Sequence, residues 1–203
     1  MQSGDVTNEC LWSILIPTIE ERKRAFQILF LNLTDQITKA GLQGIVCVEY
    51  LSDNREMSVG KKRNELKKNA RGKYISYVDD DDKVSDEYIS AHYELIKDEK
   101  PDCIGLIGVL SDSRTPVKRK FVHSIIHSSY FEANGIYYRP PNHLNVIRKS
   151  IAVLFDFPNK NHGEDSDWAM NICRAKAIKT ERRIDKPMYF YNFNPSRSAT
   201  VGR

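Results

Sequence analysis

The sequence has no run of apolar residues long enough to cross a membrane. A transmembrane helix needs roughly 18 or more such residues in succession, and no stretch of the 203 residues approaches that length. The first nine residues, Met1 to Glu9, are polar and contain no signal-peptide core. We therefore expect no transmembrane segment, so that any membrane contact is peripheral.

Cysteine is scarce, and its spacing excludes CxxC metal and redox motifs. The four cysteines, Cys10, Cys47, Cys103 and Cys173, lie far apart and mostly among apolar neighbours. This pattern predicts buried, reduced thiols and therefore a cytoplasmic protein.

Glycine-rich phosphate-binding loops are also missing. The sequence contains no Walker motif, no dinucleotide fingerprint and no glycine-rich nucleotidyltransferase loop, so kinase-like and dehydrogenase functions lack their usual phosphate site. The net charge of +4 permits an anionic partner without requiring one. With 40% hydrophobic and 29% charged residues, the composition is that of a globular protein, and the length predicts a single domain over residues 1–203.

Short apolar segments alternate with helical patterns along the first half of the chain. The predicted strands cover Leu11–Ile16 (ended by Pro17), Gly44–Leu51, Lys73–Val78 and Cys103–Leu110, and the predicted helices cover about 20–37, 58–71 and 86–97, with a last helix from about 164. Such alternation predicts an α/β fold with a mostly parallel central sheet and helices on both faces. The stretch from 111 to 138 is irregular and predicts paired strands or loops.

Polar residues follow the predicted strands at the edge where such sheets bind ligands. They are Thr18 and Glu20 after the first strand, Glu49 and Asp53 near the end of the second, and Asp79 to Asp82 after the third.

The four consecutive aspartates after the third strand repel one another unless a cation neutralises them. Hard oxygen ligands favour Mg²⁺ or Mn²⁺, held by one or two carboxylates together with substrate phosphates. An acidic turn that caps the next helix explains the same residues equally well.

A second acidic group, Glu164-Asp165 after Gly163, begins the last helix. A carboxylate there can serve as a general base that faces a cleft. Acidic residues in a first helical turn are equally expected from helix capping and the helix dipole.

The predicted basic helix carries Lys61-Lys62-Arg63-Asn64 between two strand ends. These side chains are suited to binding a diphosphate, and an arginine can form forked hydrogen bonds with it. The common alternative is a solvated helix face.

The order of these motifs resembles that of family-two GT-A glycosyltransferases. The similarity runs from Ser13-Ile-Leu-Ile-Pro-Thr18, through Gly60 to Asn64 and the segment from Gly72 to Asp82, to Gly163-Glu-Asp165. The resemblance implies a GT-A, Rossmann-like fold, with a donor-binding half over about 11–110 and an acceptor-binding half that carries the catalytic base over about 111–203.

The resemblance also implies roles for individual residues. Asp165 corresponds to the catalytic base, with Glu164 as its support or as an acceptor contact. Asp79 and Asp81 match the Asp-x-Asp metal motif, although Asp80 with Asp82 fits the same pattern shifted by one. The nucleotide contacts implied are Thr18, Glu20, Glu49 or Asp53, Arg63 near the diphosphate, and Asp80.

The implied activity is an inverting, Mn²⁺- or Mg²⁺-dependent transfer of a sugar from a nucleotide diphosphate, in this family usually a UDP-sugar. We expect a hydroxyl acceptor, either a glycan or a hydroxymethylated DNA base, because the acceptor half and the tail are basic and aromatic. His143, Arg148 and Arg197 are the candidate acceptor contacts, and no stable protein partner is predicted. The alternatives are a non-catalytic module that binds a nucleotide or nucleic acid, and a metal-dependent phosphohydrolase or nuclease.

Overall fold

The structure, a computed structural model, describes residues 9–193. Within these residues the strands are β1 (Trp12–Ile19), β2 (Val46–Asp53), β3 (Tyr74–Tyr77), β4 (Lys83–Val84), β5 (Cys103–Asp112), β6 (Lys118–His123), β7 (Phe131–Ala133), β8 (Ile136–Arg139), β9 (Val146–Arg148), β10 (Glu181–Arg183) and β11 (Tyr189–Phe193). The α-helices are α1 (Lys23–Lys39), α2 (Val59–Asn69), α3 (Tyr88–Lys97), α4 (Lys149–Ala152) and α5 (Glu164–Arg174), and a short 3-10 helix covers Glu20–Arg22.

The central sheet is mostly parallel, as the sequence predicts. Its strand order is β2-β1-β3-β9-β5, and it continues through β6 and β8 to β7. β1 is parallel to both β2 and β3, whereas β9 is antiparallel to β3 and to β5. β3 and β5 therefore point in the same direction as β1 and β2.

Helices cover both faces of this sheet because the side chains of β1 and β3 are apolar on both sides. Ile14 and Ile16 of β1 pack in one buried cluster with α1 and α3. Leu15 lies in a second cluster on the opposite face, with residues of α2, α4 and α5. Successive residues of a strand point to opposite faces, so one buried strand supports both cores.

β1 continues past Pro17, where the sequence predicted its end. β3 pairs only with Trp12 to Leu15 of β1, so that Pro17 has a strand neighbour on one side only, in β2. A proline is tolerated where its missing N–H faces no partner strand. The extension carries Thr18 to the edge of the sheet.

The irregular stretch between residues 111 and 138 forms paired strands. β6 is antiparallel to β5, β8 is parallel to β6, and β7 closes the sheet antiparallel to β8. The acceptor half predicted from the sequence therefore extends the sheet that carries the donor half.

The cysteines are all free in the structure. Cys10 and Cys103 are buried as predicted, but Cys47 and Cys173 are only half-buried. Among the described residues, no helix combines the length and the apolar character needed to span a bilayer.

Candidate active site

One cavity of about 390 Å³ opens at the edge of the sheet where β1 and β3 end. The carboxyl ends of parallel strands meet at the same edge, and this edge also receives the first turn of α5. Its lining includes nine residues singled out from the sequence: Thr18, Lys62, Arg63, Asp79, Asp80, Asp81, His143, Glu164 and Asp165.

The four aspartates after β3 point in different directions. Asp80 is buried and accepts hydrogen bonds from Thr18 Oγ1 at 2.7 Å and Arg22 Nη1 at 2.8 Å. Asp82 is buried and accepts from the Tyr189 hydroxyl at 2.7 Å and from the backbone N–H of Asn192 at 3.0 Å.

Asp79 and Asp81 are the two members of this run that are more exposed, with side-chain exposures of 27% and 32%. Burial raises the pKa of Asp81 to about 6; the negative charges of Asp79 and Asp80 add to this rise, while Arg22 opposes it. Burial also raises the pKa of Asp82, and the charge of Asp79 reinforces the effect. The run thus carries more negative charge than its neighbours neutralise.

Arg63 lies at the centre of the site, on the inward face of α2. Its guanidinium donates to Asp79 Oδ1 at 2.9 Å and also to Glu164. Burial would lower the pKa of Arg63, but the charges of Asp79 and Glu164 outweigh burial and raise it, so this arginine stays charged. With an exposure of 3%, Arg63 does not belong to a solvated helix face.

Lys62, the residue before Arg63, is buried as well. Its ammonium group donates to the backbone oxygen of Thr18 at 2.7 Å and pairs with Asp53. Lys62 therefore ties the ends of β1 and β2 to α2.

His143 connects the surroundings of Arg63 with Asp165. Its Nε2 atom lies 3.1 Å from Arg63 Nη2, and its Nδ1 atom lies 3.7 Å from Asp165 Oδ2. Nε2 also lies 3.5 Å from Asp79 Oδ2, so the ring of His143 lies among Arg63, Asp79 and Asp165.

Asp165 is a partly buried carboxylate at the start of α5. Burial alone would raise its pKa, but His143 and Arg63 outweigh burial and lower it. Its carboxylate is therefore ionised at neutral pH, which is the state that a general base requires.

Three of the nucleotide contacts predicted from the sequence do not line the cavity. Glu20 is exposed and accepts a hydrogen bond from Ser52 at 2.8 Å. Glu49 lies inside β2 rather than at its end and accepts from Ser13 at 2.6 Å. Asp53 does end β2, but its carboxylate is engaged by Lys62.

The placement of Arg148 in the acceptor pocket is wrong. β9 is antiparallel to β3, so its last residue, Arg148, pairs with Tyr74 at the amino end of β3, away from Asp79. There its guanidinium bonds to Asp102 at 3.2 Å and stacks over the Tyr74 ring. Arg197 lies outside the described residues.

The cavity also contains side chains that the sequence did not single out. Arg22, Arg139 and Tyr191 line it. Arg22 ends the 3-10 helix that follows β1, so its position soon after a strand end could have revealed it. Arg139 comes to the cavity through the pairing of β8 with β6, for which the sequence carries no local signal.

Comparison with known families decides the chain's membership. The model of a family described as "Glycosyl transferase family 2" matches residues 8–158, about three quarters of the chain. The chain belongs to glycosyl transferase family 2. Membership of this family agrees with the GT-A fold of the chain.

Solved structures with the same fold include S. aureus TarS. TarS residues 1–349 in complex with UDP-GlcNAc match with a TM-score of 0.63 at 17% identity, covering 95% of this chain and 61% of TarS 1–349. The complex with UDP matches with a TM-score of 0.61 at 17% identity, covering 91% and 61%. At this identity the likeness shows the fold, and this family 2 chain spans less than two thirds of the TarS fragment. No curated protein matches the chain.

Proposed function

We propose that this chain is an inverting glycosyltransferase that moves a sugar from a UDP-sugar to a hydroxyl group of an acceptor. The observation that carries the proposal is the convergence of Asp79, Asp81, Arg63 and Asp165 on one cavity. Asp79 and Asp81 follow β3, Arg63 belongs to α2, and Asp165 belongs to α5. UDP is the proposed nucleotide because structures of TarS, which has the same fold, contain UDP in one case and UDP-GlcNAc in another.

The proposed reaction is a single in-line displacement. Asp165 accepts the proton of the acceptor hydroxyl, whose oxygen forms a bond to the anomeric carbon of the donor sugar. The bond from that carbon to the diphosphate breaks, and UDP leaves with its electron pair. Arg63, permanently charged, stabilises the negative charge that develops on the leaving group. One displacement inverts the anomeric configuration.

The residues fit a divalent cation, Mn²⁺ or Mg²⁺, at Asp81 and Asp79. Asp81 lines the cavity, and its carboxylate lies 3.3 Å from the guanidinium of Arg22. Burial raises the pKa of Asp81, so a bound divalent cation would stabilise its ionised carboxylate. The exposure of Asp79 and Asp81 favours this register over Asp80 with Asp82. When bound, the ion would supply positive charge to the diphosphate.

The metal would share its ligands between protein and donor. Within residues 9–193, no group of three or more His, Cys, Asp or Glu side chains is arranged to hold a metal ion. Two carboxylates together with diphosphate oxygens are a common Mg²⁺ environment. We therefore expect metal and UDP to stabilise each other's binding.

Thermal denaturation with UDP, GDP or CDP, each with and without Mn²⁺, tests the donor. We expect UDP with Mn²⁺ to raise the melting temperature, because a ligand that binds only the folded state stabilises it. Asp81→Ala should abolish the part of the shift that depends on Mn²⁺, whereas the exposed Asp86→Ala should retain it. If no nucleotide shifts the melting temperature, the chain is not a transferase of this kind.

Asp165→Asn tests the base. We expect transfer to fall by roughly 10²- to 10⁴-fold, the usual contribution of a general base, with the UDP-induced shift unchanged. Asp167→Asn is the matched control, because Asp167 lies in the same helical turn but is exposed and pairs with Lys160 at 2.5 Å. Full activity of Asp165→Asn would reject the assignment, and release of inorganic phosphate instead of UDP would indicate a phosphohydrolase.

The acceptor is proposed to be a glycan or a hydroxymethylated DNA base. The support is the basic and aromatic surface of β6 and β8, where Arg119 stacks over Tyr137 at 5.5 Å. Aromatic rings beside arginines can bind either sugar rings or bases. Measuring UDP release with each of the two acceptor classes distinguishes them.

A further inference from the structure

Among the Arg and Lys side chains that the structure describes in the cavity, one has a charge that no described carboxylate matches. Five Arg and Lys side chains line it: Arg22, Arg55, Lys62, Arg63 and Arg139. Four of them form ion pairs with acidic residues, namely Arg22 with Asp80, Arg55 with Glu21, Lys62 with Asp53, and Arg63 with Asp79 and Glu164. Throughout residues 9–193, no carboxylate or hydrogen-bond acceptor engages the guanidinium of Arg139.

Tyrosine rings hold Arg139 in place instead. Its guanidinium lies 5.4 Å from the ring centre of Tyr130 and 5.8 Å from that of Tyr137. Such contacts are favourable for a cation and fix the plane of the guanidinium, but they leave its N–H groups without acceptors. Arg139 is also half-buried, and removing an unpaired charge from water is costly unless an anion joins it.

Arg139 lines the same cavity as Asp165, the proposed base. Arg139 is paired with His123 in the parallel ladder of β8 and β6. Burial lowers the pKa of His123 to about 3, and the positive charge of Arg139 contributes to this effect. Burial raises the pKa of Tyr130, and the negative charge of Asp165 adds to the rise. Tyr130 therefore lies within electrostatic reach of both Arg139 and Asp165.

The four paired cations come from the part of the chain before residue 64, and two of them, Arg22 and Arg63, pair with aspartates that follow β3. Arg139 ends β8, which pairs with β6. It is not one of the residues proposed above to bind the diphosphate.

We propose that Arg139 binds an oxyanion of the acceptor, a phosphate or a carboxylate, next to the hydroxyl group that Asp165 deprotonates. This inference rests on the proposed function and narrows it, because it makes the acceptor a negatively charged molecule. A guanidinium can donate two parallel hydrogen bonds to such a group.

Titration of the isotope-labelled protein, in the presence of UDP and Mg²⁺, tests this site directly. The probes are methyl phosphate, acetate and, as the neutral comparison, methanol, and the readout is the NMR signal of the Arg139 Nε–H group. We expect saturable binding of one or both anions with a dissociation constant on the order of 10 mM, the strength of one or two charge-assisted hydrogen bonds. The tighter anion identifies the acceptor group as phosphate or carboxylate.

Two variants complete the test. Arg139→Gln, followed through the signals of neighbouring backbone amides, should weaken anion binding at least tenfold while the UDP-induced thermal shift stays unchanged. Arg182→Gln, at an exposed residue of β10, should change neither. The rise in melting temperature caused by UDP tests the proposed function on its own, because we expect this rise not to depend on Arg139.

Three results would overturn the inference. The first is that neither anion produces a saturable shift in a protein that binds UDP. The second is that Arg139→Gln binds the anions as well as the native chain. The third is that Arg139→Gln weakens UDP binding, which would make Arg139 a contact of the donor.

Discussion

His143 occupies a position between the two charged parts of the site. One ring nitrogen faces Arg63, which binds Asp79 and Glu164, and the other faces Asp165. The ring is also held through its backbone, since the oxygen of His143 accepts a hydrogen bond from Tyr77 N at 2.8 Å. This placement suggests that His143 positions the proposed base rather than contacting the acceptor, the role expected from the sequence.

Two amide substitutions separate the functions of the two ring nitrogens. In His143→Asn the amide nitrogen can reach the place of Nδ1, whereas in His143→Gln it can reach the place of Nε2. We expect His143→Gln to lower kcat by roughly 10- to 100-fold, the range for residues that orient a functional group, with little change in KM for the donor. His143→Asn should retain most of kcat.

Steady-state kinetics on both variants checks this prediction. Equal losses of kcat in the two variants, or a loss confined to KM for the acceptor, would show that His143 does not act through Asp165.

The sequence identified the acidic residues of the site better than the basic ones. Asp79, Asp81 and Asp165 follow a strand end or begin a helix, so local pattern is enough to single them out. Lys62 pairs with Asp53, nine residues earlier, and Arg63 pairs with Glu164, 101 residues later. The inward orientation of these two side chains therefore depends on residues outside the local pattern. Arg148 was misplaced because its position follows from the direction of β9, which the sequence did not predict.

At the scale of elements, the first turn of α2 packs closely against the loop that leads to α5. Ser58 caps the helix by accepting from Lys61 N at 3.1 Å, and Val59 N donates to Asn161 Oδ1 at 2.9 Å. A Cβ atom added at Gly60 would lie 1.9 Å from the backbone oxygen of Pro158. Only glycine allows the two segments to approach this closely.

Gly60→Ala should therefore displace α2 from the loop. We expect a loss of about 1–3 kcal/mol in the free energy of unfolding, typical of overpacking, together with weaker UDP binding because Lys62 and Arg63 move with the helix. Lys61→Ala, on the exposed side of the same turn, serves as the control. Urea denaturation and UDP titration measure both effects, and unchanged values for Gly60→Ala would contradict this account of the contact.

Helices were easier to predict than the strands of the acceptor half. α2 and α3 lie inside their predicted ranges because caps, stops and helical spacing are local signals. β6, β7 and β8 are short, with β7 exposed and β8 only half-buried. They are held by pairing with one another and with β5. A sequence pattern carries little information about such pairing, so this region could be described only as strands or loops.

At the scale of the whole molecule, two buried histidines make stability depend on pH. His92 packs between Trp12 and Tyr88, and burial lowers its pKa from 6.5 to about 4. His123 is buried on another part of the sheet, with a pKa lowered to about 3. Both rings are neutral in the folded state and become protonated more readily after unfolding.

The stabilising contribution of His92 is fully present above pH 6.5 and is lost as the pH falls towards 4. In this range His92 contributes about 1.4 kcal/mol per pH unit to the slope of the free energy of unfolding against pH. His92→Gln, which cannot be protonated, should lower the slope by that amount, whereas the exposed His162→Gln should not. Urea denaturation at several pH values measures the slopes, and identical slopes for His92→Gln and the native chain would refute the assignment.

The partners of Arg63 also set an order of events during synthesis of the chain. Asp79 follows Arg63 by 16 residues, but Glu164 follows it by 101. At about 5–20 residues per second, a ribosome adds Glu164 roughly 5–20 s after Arg63. Until then α2 cannot dock fully on β1 without burying a charge that is only half neutralised. Full docking of the first half of the nascent chain therefore waits for α5, which carries Glu164.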